Sequence, residues 1–97
     1  MIKINTERAA NISRQLYKKE RAQAVSAIVV TTASGRIFDG DEQSQERMSR
    51  SLTALEEGEL ITWVMADNTV SQVTREELRE ALRLAGARQA ELWVAKE

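Results

Sequence analysis

Apolar positions along the chain recur first at helical and then at strand spacing, and the changes of period mark out the elements. Ala9, Ile12 and Leu16, with Tyr17 beside them, follow Asn5 and Thr6, two good N-caps, and predict a helix from about Thr6 to Ala24. Its apolar stripe is thin, carried past Tyr17 only by Ala22 and Ala24. Such a helix gains its stability by leaning on a larger surface, of this chain or of another. Val25 to Ala33 is rich in β-branched residues and apolar on both alternating faces, the pattern of a strand covered on both sides. Ser34-Gly35 supplies a two-residue turn and Arg36-Ile37-Phe38 the return strand. Gly40 stops it, and Asp41 is placed to accept hydrogen bonds from the first free amides of a helix running to about Glu57. The charges of Asp41 and Glu42 complement its dipole, Met48, Leu52 and Leu55 form its buried face, and Gly58 follows as a left-handed cap.

The period then returns to two. Ile61, Trp63 and Met65 share one face and Leu60 and Val64 the other, Asp67-Asn68-Thr69 makes the turn, and Val70 to Val73 come back as the partner strand. Trp63 reads as a core residue, needing only an apolar floor and a partner for its N–H. Thr74-Arg75-Glu76-Glu77 is a capping box, with Val73 and Leu78 placed as a hydrophobic staple. The helix it opens continues through Leu78, Ala81, Leu82 and Ala85 towards Leu92 and Trp93. Gly86, which costs ~1 kcal/mol relative to Ala in mid-helix, marks either a close helix contact or a bend. The expected fold is α+β: a basic N-terminal helix over residues 1–24, then a compact unit over 25–97 in which two β-hairpins form an antiparallel sheet of about four strands, with the middle and C-terminal helices packed on it.

Composition narrows the chemistry. The 97 residues include no cysteine and no histidine, which removes thiolate chemistry, the commonest general base and the commonest transition-metal ligand. No apolar run approaches the ~20 residues needed to span a bilayer, and the first residues lack the apolar core of a secretory signal. A net charge of −1 conceals an asymmetry: residues 1–24 carry six basic side chains against two acidic ones, residues 25–97 eight against thirteen. Charge of this kind is ordinary on a solvated helix face; if the first helix instead docks, Arg14, Lys18, Lys19 and Arg21 are its candidate residues, for a protein partner or a second copy of the chain. The same helix, with the ridge Arg75, Arg79 and Arg83, is the basis of the alternative, a small nucleic-acid-binding regulator. Glu76 and Glu80 interleave that ridge, and no aromatic residue accompanies it for stacking on bases.

No phosphate loop, nucleophile elbow or zinc spacing is present. Asp39, Asp41 and Glu42 form an acidic cluster, but a helical pattern follows where a calcium loop would need further oxygen ligands, so capping explains it better than a metal. No catalytic, cofactor-binding or metal-ligating residue is nominated, and the expectation is that the chain is not an enzyme and takes no cofactor.

The run Ile37-Phe38-Asp39-Gly40-Asp41-Glu42, then Ser44 with Arg47-Met48, then Thr62-Trp63-Val64-Met65-Ala66-Asp67-Asn68, then Val73-Thr74 and Glu77-Leu78, ending in Leu92-Trp93, resembles the DUF4376 domain over roughly residues 36–94. Phe38, Gly40, Asp41, Glu42, Trp63, Asp67, Asn68, Thr74 and Glu77 carry the signature, and the basic first helix stands outside it. The resemblance implies a protein of tailed phages or prophages, with a structural or assembly role in a tail or tail fibre exercised through other tail proteins. It also implies a bacterial or infected-host cytoplasmic setting or incorporation in a virion.

Overall fold

The computed structural model of the chain describes residues 19–95. Within them the order is the end of a first helix, α1, over 19–26; β1, Val29–Thr31; β2, Ile37–Asp39; α2, Glu42–Ala54; β3, Leu60–Val64; β4, Val70–Thr74; and α3, Arg75–Ala95. The α+β class holds, as do two antiparallel hairpins, β1 with β2 and β3 with β4. Among the described residues no helix is long and apolar enough to cross a membrane.

The two hairpins are built alike. In the first, the Thr32 N–H donates to Arg36 O and the Gly35 N–H to Thr32 O; in the second, the Met65 N–H donates to Thr69 O and the Asn68 N–H to Met65 O. Each tip is thus a three-residue loop whose last residue is left-handed, Gly35 at φ 88° and Asn68 at φ 69°. The two-residue turn expected at Ser34-Gly35 is one residue longer, with Ala33 inside it. Asn68 takes the left-handed conformation expected of it, and the Asp67 carboxylate accepts from the Thr69 N–H at 3.0 Å and the Thr69 hydroxyl at 2.6 Å.

The expected four-stranded sheet is not formed: the hairpins remain two separate two-stranded sheets. One backbone hydrogen bond joins their facing edges, from the Ala66 N–H to Ile37 O at 3.1 Å. Beyond that bond Ile37 and Asp39 turn their N–H and C=O groups away from β1, but no ladder forms on them before Gly40 leads into α2. Nor is β1 covered on both faces: Val30 is buried, while Val29 is 54% exposed.

Phe38, Met48, Val73, Leu78, Ala81 and Ala85 are fully enclosed, with Val25, Ile28, Val30 and Met65 completing the core. Val73 and Leu78 are placed as the staple requires. Val25 enters this core from α1, which runs two residues past Ala24 and shortens the expected strand at its start. Burial here outweighs the β-propensity of an isolated valine. Helix α2 also stops early, at Ala54 rather than near Glu57, because Leu55 is extended and its carbonyl accepts from Arg75 Nε at 3.0 Å. Gly58, at φ 78°, is left-handed within the following Glu56 to Glu59 turn and is not the helix cap. Helix α3 passes through Gly86 without a break; a Cβ there would meet only Gln45 Oε1, at 3.9 Å.

Candidate functional site

Where the edges of β2 and β3 part beyond the Ala66–Ile37 bond, a cleft of about 380 Å³ opens between them. Asp39 lines it from β2, Ser44 and Arg47 from α2, Thr62, Trp63 and Val64 from β3, and Asn68 from the second hairpin tip. Three successive residues of one strand line a single cleft only along its edge, since their side chains alternate between faces. The hydrogen-bonding pattern agrees. Because Met65 pairs with Thr69, the backbone groups of Thr62 and Val64 turn away from β4, as those of Ile37 and Asp39 turn away from β1. Counting two residues back from Ala66 and two forward from Ile37 sets Val64 opposite Asp39, yet no backbone bond closes that pair.

The cleft's polar side chains differ from those around it. Asp41 accepts from the Ser44 hydroxyl, Glu42 from Gln89 Nε2 at 2.9 Å, and Gln45 Nε2 donates both to Gly40 O and to Gln89 Oε1. This network fastens α2 to α3 and consumes two of the three carboxylates considered for a metal. Asp39, Arg47, Thr62, Trp63 and Asn68 make no side-chain hydrogen bond or ion pair among the described residues. A neighbouring cavity of about 430 Å³, lined among others by Arg36, Asp67 and Thr69, is chemically quieter. There Arg36 is bound to Glu77 and to Gln72 O, and Asp67 to Thr69.

The signature residues divide between scaffold and cleft. Phe38 is fully buried, and Gly40 lies so close to Ile28 and Ala85 that a Cβ has no room. Asp41 precedes α2 but makes no hydrogen bond to its amides, because its carboxylate takes the Ser44 hydroxyl instead. Thr74 caps α3 as expected, its hydroxyl accepting from the Glu77 N–H at 3.1 Å. The second half of the capping box is replaced. The Glu77 carboxylate accepts from Thr32 Oγ1 at 2.9 Å, Ser34 Oγ at 2.5 Å and Arg36 Nη1 at 3.0 Å, clamping the first hairpin onto α3. Trp63 and Asn68 face the cleft; Trp63 is half-buried and packs against the core on its other side.

Of the docking candidates, Arg14 and Lys18 lie outside the described residues, Lys19 is exposed, and the Arg21 guanidinium stands 5.4 Å from the centroid of the Trp93 ring. Arg75 of the basic ridge is stitched to Leu55 O. The sequence offers Asp39 only as part of an acidic cluster and Arg47 only as part of the family run; the available signal for a site was the i, i+3 spacing of Ser44 and Arg47, which sets both on one helix face.

Among the described residues no group of three or more acidic side chains is gathered to hold a metal ion. What the fold and cleft define is an α+β protein with two separately standing hairpins and a polar seam between their edges. The chain belongs to the family described as Domain of unknown function (DUF4376), whose model matches residues 3–97. The match begins far ahead of residue 36, so the basic N-terminal stretch falls within the family's pattern and not outside it. No curated protein and no solved structure matches the chain.

Proposed function

We propose that the chain acts without catalysis, by protein–protein contact, as a structural or assembly component of a phage or prophage tail or tail fibre. The observation that carries the contact reading is the outer face of the second hairpin. Leu60, Val64 and Val70 are 59%, 55% and 62% exposed, and Val64 and Val70 are direct cross-strand partners. A two-stranded hairpin has little stability of its own, and apolar side chains grouped on its open face are what a partner surface would cover. The tail setting rests on the family resemblance alone. The test is deletion of the gene from a phage that carries it, followed by electron microscopy of the particles. Defective tails or fibres are expected, restored by the wild-type chain and not by the double variant Val64→Lys, Val70→Lys. Normal particles after deletion would sink the reading.

A further inference from the structure

We propose that the seam between β2 and β3 is a receptor for an extended segment of a partner protein, added as a strand to the edge of β3 and fixed by Arg47, Asp39 and Asn68. The proposal rests on the protein-contact reading and names the kind of partner. Three observations converge on it. The backbone N–H and C=O groups of Thr62 and Val64 face the cleft without a ladder, as do those of Asp39 on the opposite wall. An unpaired strand edge is a template for another strand. Four polar side chains that line the cleft, Asp39, Arg47, Thr62 and Asn68, also make no side-chain hydrogen bond or ion pair among the described residues, and Ser44 beside them is tied to Asp41. Its volume of about 380 Å³ falls inside the range of roughly 300–1,000 Å³ over which proteins enclose ligands.

The chemistry favours a polypeptide. Backbone groups repeating every second residue along β3 are matched by another extended chain, with side-chain pockets setting the choice of sequence. The Asn68 carboxamide both donates and accepts, as a peptide group requires. Arg47, exposed and without an ion pair among the described residues, offers a fork for a carboxylate, and Trp63 supplies an apolar wall. With one arginine and one aspartate the cleft carries no net positive charge, so it suits a segment with a single carboxylate at Arg47 and not the repeated charges of a phosphate backbone. The occupant is therefore an extended, proline-poor segment bearing an Asp or Glu that reaches Arg47.

The experiment is selection on the immobilised full-length chain from a displayed library of linear peptides of about ten residues, the upper length of an ordinary strand. An enriched peptide is then titrated into the isotopically labelled chain. The amide signals of Asp39, Thr62 and Val64 are expected to shift and their hydrogen exchange to slow. Arg47→Ala, and Asn68→Gly, which keeps the left-handed turn, are each expected to weaken binding about tenfold. Both positions are exposed, and circular dichroism verifies that the variants fold. Absence of enrichment, or enriched peptides that bind both variants as well as the wild type, overturns the proposal. If that happens while Val64→Lys, Val70→Lys still abolishes tail assembly, the contact reading survives and only the seam falls.

Discussion

A Cβ added to Gly40 would lie 2.7 Å from Ile28 Cγ2 and 2.9 Å from Ala85 Cβ, so the glycine is required for space, between the end of the first hairpin and the small-residue face of α3. Its backbone is in none of the left-handed conformations that mark Gly35 and Gly58. Gly40→Ala is expected to destabilise the fold by about 1–3 kcal/mol, as overpacking of a closed core does, read by chemical denaturation. The sequence displayed this glycine as strand punctuation; the close approach depends on Ala85, 45 positions away, and was not legible locally. Asp67 responds to a different variable. Its carboxylate accepts from the hydroxyl and the backbone N–H of Thr69, which hold its pKa below the ordinary 3.8. Because the folded value is depressed, the stabilisation is complete above the unfolded value and disappears as the pH falls through the folded one. The difference in melting temperature between wild type and Asp67→Ala is therefore expected to be constant above about pH 5 and to shrink below it.

The clamp of the first hairpin on α3 belongs to the scale of elements. Glu77 holds Thr32, Ser34 and Arg36 at once, and Glu80 adds an acceptor for the Ala33 N–H at 2.8 Å. Thr32 is 4% exposed, and without the carboxylate its hydroxyl keeps only the Ser34 hydroxyl at 3.0 Å and a long contact to Arg36 O at 3.4 Å. Glu77→Ala is expected to cost about 1–3 kcal/mol and to accelerate hydrogen exchange in β1 and β2 more than in β3 and β4. Both hairpins, both later helices and the Thr74 cap could be read from the sequence, since period, turn residues and cap chemistry are local. The destination of the Glu77 side chain could not. A capping box and an inter-element clamp use the same Thr and Glu at the same spacing, and only the arrival of the hairpin tip decides between them. The ends of α2 and of the first strand were misplaced for a similar reason: Arg75 taking Leu55 O and Val25 entering the core are tertiary events.

At the scale of the whole molecule, the expectation of one four-stranded sheet was correct in strand count and direction and incorrect in closure. The facing edges start in antiparallel register at Ala66 and Ile37 and then separate. Nothing in the alternation of residues 60 to 73 reports that, because a strand bordering an open seam carries the same pattern as one bordering a neighbour. The cleft residues were therefore visible as a signature and invisible as a place. A further consequence lies in the junction of β4 with α3, where Thr74 is followed by Arg75 with no linker. The 21-residue helix therefore starts directly at the end of the hairpin and extends about 30 Å from it at the usual rise per residue, so the strand end and the core contacts of Leu78, Ala81 and Ala85 together fix where its far end, with Trp93, lies.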